Sequence, residues 1–279
     1  MAEGRGPGRI TSSGVAMGVL LAILIIVSLW LFIAKPFWFP QLTSVHGAEI
    51  DGVFRAVLIV TGIAFVITQG MLGYFVARYG SRGSEHADYW HDNPKAEFFL
   101  LTGTAIILVI LVFMGQRVWL KYYFSGLPEN SLTVQVTGQQ FQWNFHYAGA
   151  DGKFGKTDLR LVGPTNFIGL DENDPDAKDD IVTIGDMHIP MNKPIIVRLR
   201  SKDVIHSFFL PNFRVKQDAV PGLSIEVPFT PDTAGSWEIA CAELCGNNHF
   251  KMKGKITVDA SDADFEKWMK EQLAARTGD

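Results

Sequence analysis

The chain changes its hydrophobic rhythm once, near residue 125. Before that point, three long apolar runs dominate: Val15 to Ala34 without a charge, Val53 to Ala77 with only Arg55 near one end, and Phe98 to Met114. A helix needs about 20 residues to cross the hydrocarbon core, and each run approaches that length once its flanking residues are counted. The pattern predicts membrane helices over about 15–34, 53–79 and 98–121. From Ser131 onward the period falls to two. Ser131–Val136, Ile196–Arg200, Leu223–Phe229 and Lys253–Val258 alternate apolar and polar residues, with Gly and Pro turns between them. Such punctuated alternation predicts an all-β sandwich or barrel. Asp262 to Arg276 reads as a closing amphipathic helix capped by Ser261. The expected organisation is a transmembrane region over 1–125, a β domain over 126–260, and a helix with a tail over 261–279.

Charge divides the chain the same way. Residues 1–120 hold 8 basic and 7 acidic side chains, and the remainder holds 17 and 22. The net charge of −4 argues against nucleic-acid binding by bulk charge. Arg5 and Arg9 precede the first run, and Arg78, Arg82 and Lys95 separate the second from the third. The positive-inside rule places both segments in the cytoplasm and the β domain outside. A retained first helix is favoured over a cleaved signal, because its apolar stretch is long and no A-x-A site follows Ala34. The stretch 171–180 carries six acidic residues and one lysine. It suits a solvated loop or a surface that steers a basic partner.

Candidate chemistry is concentrated in one loop. Both cysteines lie in Cys241-Ala-Glu-Leu-Cys245-Gly-Asn-Asn-His249-Phe-Lys-Met252, between two expected strands, and His206 stands 35 positions upstream. Thiolate, imidazole and thioether together select soft metals, copper foremost, and a methionine is foreign to structural zinc. Two thiolates can bridge two copper ions, with His206, His249, Met252 and a backbone carbonyl completing them. A Cys241–Cys245 disulfide is the bland alternative, which the neighbouring His249 and Met252 make poor. His46, His86, His91, His146 and His188 lack such company and read as structural or surface residues.

These residues resemble subunit II of haem–copper cytochrome c oxidase. The segments carrying the likeness are Val204-Ile-His-Ser-Phe-Phe-Leu-Pro211, Lys216-Gln-Asp-Ala-Val-Pro-Gly222 and Cys241-Ala-Glu-Leu-Cys245. The resemblance implies a membrane α-helical hairpin, here with an extra N-terminal helix, followed by a cupredoxin-like Greek-key barrel or sandwich. It implies a binuclear CuA centre in which Cys241 and Cys245 bridge both coppers. His206 and Met252 would complete one copper, and His249 and the Glu243 carbonyl the other. The Glu243 side chain would face a magnesium ion shared with subunit I, and Glu97 would sit at the mouth of a proton channel. The implied partners are the haem-containing subunit I, other oxidase subunits, membrane lipids, and cytochrome c or another periplasmic donor. The implied site is a bacterial inner membrane, and the implied task is passing electrons toward haem for reduction of oxygen to water with proton translocation.

One departure concerns electron uptake. The family's Gln-Trp-x-Trp run reads Gln140-Phe-Gln-Trp143, so Phe141 holds the accepting position and Trp143 is the surviving tryptophan. No C-x-x-C-H occurs, so no c-type haem is attached to this chain. Two other readings keep the loop: the CuA subunit of a nitric oxide reductase, and a membrane-anchored copper-delivery protein.

Overall fold

The computed structural model describes residues 12–34, 39–79, 91–124 and 126–278. Three helices come first: α1 (Ser12–Ala34), α2 (Gly47–Tyr79) and α3 (Pro94–Tyr123). All three are long and apolar enough to cross a membrane. Their Leu, Ile, Val and Phe side chains are largely exposed, which water would penalise and lipid or protein would not. α1 meets α2 where small residues let the backbones approach. A Cβ added at Gly18 would lie 3.2 Å from Ala77 Cβ and 3.3 Å from the Gly73 carbonyl oxygen. α2 and α3 both begin before their apolar runs. In α3, Asn93 caps the start by accepting from the Ala96 amide at 3.1 Å, as an Asn before a first turn does.

Ten strands follow: β1 (Leu132–Gln139), β2 (Gln142–Tyr147), β3 (Ile181–Ile184), β4 (Asp186–Pro190), β5 (Ile195–Ser201), β6 (His206–Leu210), β7 (Val215–Ala219), β8 (Ile225–Phe229), β9 (Gly235–Cys241) and β10 (Lys253–Asp259). They form two five-stranded sheets, ordered β3-β2-β1-β5-β8 and β4-β10-β9-β6-β7. β1 runs parallel to β5 and β4 parallel to β10, and the remaining pairs are antiparallel. Alternate residues turn inward from both sheets, as the period-two pattern requires. Trp143, Phe145, Tyr147, Phe208, Phe213, Ile239 and Leu199 are wholly buried between them. Each contributes roughly 1.5–3 kcal/mol of apolar burial.

The last helix, α4 (Asp262–Thr277), is capped by Ser261, whose hydroxyl accepts from the Asp264 amide at 3.2 Å. It docks through Phe265 and Trp268. The Trp268 indole stacks on His188 at 4.3 Å, and His188 is held by Asp259 at 3.2 Å.

Residues 39–50 pack with the β sandwich rather than with the helices, although the apolar pattern groups them with the membrane region. The Thr43 amide donates to the Asn212 carbonyl at 2.9 Å, and the Val45 amide to the Thr230 carbonyl at 3.1 Å. The buried Ser44 hydroxyl donates to the Phe213 carbonyl at 2.7 Å, and the Arg214 guanidinium reaches the Pro40 carbonyl at 3.0 Å. Ser44→Ala is expected to cost about 1–2 kcal/mol, because a buried carbonyl loses its donor. Denaturant unfolding of the full chain in detergent, followed through the buried tryptophans, measures this.

The acidic stretch is largely consumed by loop architecture. Asp171 accepts from the Asn173 amide at 3.0 Å, Asp174 from the Lys156 amide at 2.9 Å, and Asp179 from the Asp151 amide at 3.2 Å. Asp180 is fully buried, 2.6 Å from His146 Nε2, and accepts from the Gly155 amide at 2.8 Å. Of the six acidic residues, Glu172 is exposed, Asp171, Asp176 and Asp179 are half-buried, and Asp174 and Asp180 are buried. Most of these carboxylates brace the 148–180 loop internally, and Asp180 ties it to His146 of β2.

Candidate metal centre

Three segments build the site. β6 begins at His206, β9 ends at Cys241, and the loop from Cys241 to Met252 closes onto β10. His206, Cys241, Cys245 and Met252 are buried, His249 is half-buried, and the Glu243 and Phe250 side chains are exposed. β6 and β9 pair at Phe208 and Cys241, which sets the histidine beside the first cysteine. The Cys241 amide donates to the Met252 carbonyl at 3.1 Å, folding the far end of the loop back over its start.

The donor atoms converge. Cys241 Sγ is 3.8 Å from Cys245 Sγ, 4.0 Å from His206 Nδ1 and 3.3 Å from the Glu243 carbonyl oxygen. Cys245 Sγ is 3.5 Å from His249 Nδ1 and 3.7 Å from Met252 Sδ. The two sulfurs are unbonded, and their separation is nearly twice the roughly 2.05 Å of a disulfide. Two thiols, two imidazole nitrogens, a thioether and a carbonyl therefore face one small space. Soft and borderline donors of that kind fit copper.

Electrostatics favours a cation there. Burial would raise the Cys241 thiol, but the His206 imidazole and the backbone at Ser207 and Glu243 outweigh it, bringing the pKa down to about 6. Burial and the neighbouring Cys241 charge push Cys245 the other way, to about 11. The chain alone thus stabilises one sulfur anion and resists the second. Metal cations between the sulfurs would relieve that repulsion, which is why thiolate ligation and metal binding are coupled.

Orientation of the site comes from residues without metal-ligand character. His206 Nε2 donates to Asp203 Oδ1 at 2.7 Å, so the carboxylate holds the proton on Nε2 and leaves the Nδ1 lone pair facing Cys241. The Gln140 amide donates to Asp203 Oδ2 at 2.7 Å, and Gln140 Nε2 donates to the Cys245 carbonyl at 2.6 Å. These bonds tie the β1–β2 turn to both the histidine and the metal loop. The His206 ring also packs edge-on to Trp143, with centroids 6.0 Å apart. Gly138 makes room for both rings, since a Cβ there would come within 3.0 Å of each. Sequence spacing gives no sign of Asp203 or Gly138, and it marks Gln140 only as the first residue of the Gln140–Trp143 run, because lone acids, amides and glycines carry no metal-ligand signal.

The two aromatic positions differ in access. Trp143 is wholly buried beneath His206, so a docking protein cannot touch it. Phe141 is partly exposed and lies against the metal loop, where a Cβ on Gly246 would meet its ring at 3.0 Å. Glu97 is exposed in the first turn of α3. Among the isolated histidines, His146 pairs with Asp180, His188 with Asp259, and His46 is buried in the 39–50 segment. His91 is exposed beside Asp92, at 3.8 Å. His86 lies outside the described residues.

A cupredoxin-like sandwich with a two-cysteine metal loop, preceded by membrane-type helices, defines the class. Residues 132–260 match the family described as cytochrome c oxidase subunit II, periplasmic domain. The alternative cytochrome c oxidase subunit 2 of Bradyrhizobium diazoefficiens is 34% identical over 258 residues, spanning 92% of each chain. The cytochrome c oxidase subunit 2 of Cereibacter sphaeroides is 28% identical over 246 residues, covering 83% of this chain and 77% of its own. The solved periplasmic domain of cytochrome oxidase subunit II from Bradyrhizobium japonicum is 31% identical, covers 53% of this chain and 96% of that domain, and superposes with a TM-score of 0.38. The chain belongs to the cytochrome c oxidase subunit II family. It is an oxidase component of a membrane-bound, CuA-containing kind, and membership implies association with subunit I.

Proposed function

We propose that this chain accepts single electrons from cytochrome c, or another periplasmic carrier, and delivers them toward haem in subunit I, where oxygen is reduced to water with proton translocation. The observation that carries the reading is the convergence of two unbonded cysteine sulfurs with His206, His249, Met252 and the Glu243 carbonyl in one buried pocket. Cys241 and Cys245 would bridge two coppers, with His206 and Met252 on one and His249 and the Glu243 carbonyl on the other. Bound there, a copper pair supplies a one-electron store shared over two ions.

The chain's own residues do the rest. Asp203 fixes the ring of His206, Gln140 fixes the loop backbone at Cys245, and Trp143 and Phe208 keep the inner side dry. Burial of the sulfurs and His206 favours retention over delivery of the metal, since a delivery site must release its ion. The exposed Glu243 side chain would reach the magnesium ion shared with subunit I. Glu97 would take protons from the cytoplasmic side at a channel mouth. The basic residues flanking the helices, with the positive-inside rule, support a bacterial inner membrane with the β sandwich in the periplasm.

Co-purification of the tagged chain with a haem-bearing subunit, followed by oxidation of reduced cytochrome c by that assembly, tests the reading. A chain that carries copper but purifies without a haem partner and leaves cytochrome c reduced would contradict it. Phe141 covers the loop from the accessible side, so Phe141→Trp is expected to change the rate of electron uptake in stopped-flow mixing while copper content stays constant. An unchanged rate removes Phe141 from the route.

A further inference from the structure

We propose that the outer face of the first sheet carries a binding site for a small tetrahedral oxyanion, phosphate or sulfate, separate from the metal loop. A cavity of about 110 Å³ lies between this face and the covering 152–180 segment. That is room for one such ion or a few waters. Its polar lining includes Thr137, His146, Arg200, Ser201 and Lys202, and no carboxylate is among its lining residues. In a chain of net charge −4, a cleft lined by two permanent cations and no acid suits negative charge.

The cations are not spent elsewhere. On β5, Arg198 is neutralised by Glu226 at 3.1 Å. Arg200 is two residues further on, beyond the end of the β5–β8 pairing at Leu199 and Ile225, and forms no ion pair among the described residues. Lys202 Nζ donates to two neutral acceptors, Gln139 Oε1 at 3.1 Å and the Phe167 carbonyl at 3.3 Å. One ammonium proton and the whole positive charge remain available. Thr137 lies opposite Arg200 in the β1–β5 register, so its hydroxyl and the guanidinium share the same wall.

His146 is almost entirely buried, and its Nδ1 has no hydrogen-bond partner. Asp180, also buried, accepts through Oδ2 from the other ring nitrogen and from the Gly155 amide, its Oδ1 is without a partner, and it is not among the residues that line the cavity. With Nε2 donating to Asp180, Nδ1 is an acceptor, so the hydroxyl of hydrogen phosphate would complete it and sulfate, which has no proton to give, would rely on the two cations alone. Guanidinium forks and ammonium protons match the oxygens of phosphate or sulfate through charge-assisted hydrogen bonds. The cavity has room for one tetrahedral group, and a free inorganic ion is distinguished from an esterified phosphate by the glycerol phosphate arm of the test.

The test is titration of the full chain in detergent at constant ionic strength, maintained with sodium chloride, using inorganic phosphate, sulfate and glycerol phosphate in separate arms. Phosphorus line broadening reports phosphate and glycerol phosphate, and thermal unfolding reports all three. Saturable one-to-one binding of phosphate or sulfate, with glycerol phosphate excluded, is expected. Arg200→Gln should weaken binding about tenfold or more, as loss of a charged hydrogen-bonding partner does, and Arg200→Gln with Lys202→Gln should abolish it. Arg198→Gln on the same strand should change nothing. The proposal is overturned if no saturable binding appears below about 10 mM. It is also overturned if Arg198→Gln weakens binding as much as Arg200→Gln, or if glycerol phosphate binds equally well. Circular dichroism of each variant confirms the fold, and Arg200→Gln alone suffices if the double variant does not fold.

Discussion

Cys245→Ser is expected to yield a folded chain that holds at most one copper and passes no measurable electrons from cytochrome c. The substitution keeps the backbone intact, including the Cys245 carbonyl that accepts from Gln140 at 2.6 Å. A serine hydroxyl can donate to His249 Nδ1, which now faces the sulfur at 3.5 Å, so the buried site keeps a satisfied polar group. A hydroxyl is a poor ligand for a soft metal, and it is not an anion at neutral pH. His249 and the Glu243 carbonyl then lack the second bridge that would hold a metal with them. Copper per chain by elemental analysis, with oxidase turnover of the assembled complex, checks both halves. Two retained coppers would deny the bridging role.

Asp203→Ala is expected to lower copper affinity about 10–100-fold, the usual cost of removing the partner of a ligating histidine. Asp203 accepts from His206 Nε2 and from the Gln140 amide, both at 2.7 Å, and it stands at the surface over a fully buried imidazole, where a water would accept from Nε2 without fixing the ring. Without the carboxylate, the ring loses both its fixed tautomer and its fixed rotation, and the turn at Gln140 loses its tie to the histidine. Asp203→Asn should restore part of the affinity, because its carbonyl oxygen can still accept from Nε2. Competition with a calibrated chelator measures the constants. An alanine variant that binds copper like the parent would assign Asp203 to loop structure alone.

Local patterns made much of this legible, and for identifiable reasons. Apolar runs mark helices that face lipid, and alternation marks strands with one buried face, so α1, α2, α3 and strands β1, β5, β8 and β10 stand out in the chain. The metal loop stands out because five of its six proposed donors lie within twelve residues, Cys241 to Met252. What stayed hidden depends on polar pairing over long separations. Ser44 meets Phe213 across 169 residues, and no periodicity encodes such a contact, so the 39–50 segment reads as part of the membrane region. Asp180 closes an acidic stretch that suggests solvent or a docking face, yet it is buried on His146 because its partner lies 34 residues upstream. Asp203 is similarly inconspicuous as one aspartate in a turn. Trp143 can be picked out as an aromatic candidate, but its complete burial follows only from the inward-facing register of β2.

The most direct test is the copper content and paramagnetic spectrum of the purified, copper-loaded full chain. Two coppers per chain, with the hyperfine pattern of one unpaired electron shared equally by two copper nuclei, is the result expected from two unbonded sulfurs 3.8 Å apart within a complete donor set. A single copper with a one-nucleus pattern, or none because Cys241 and Cys245 have joined as a disulfide in the active complex, would contradict it.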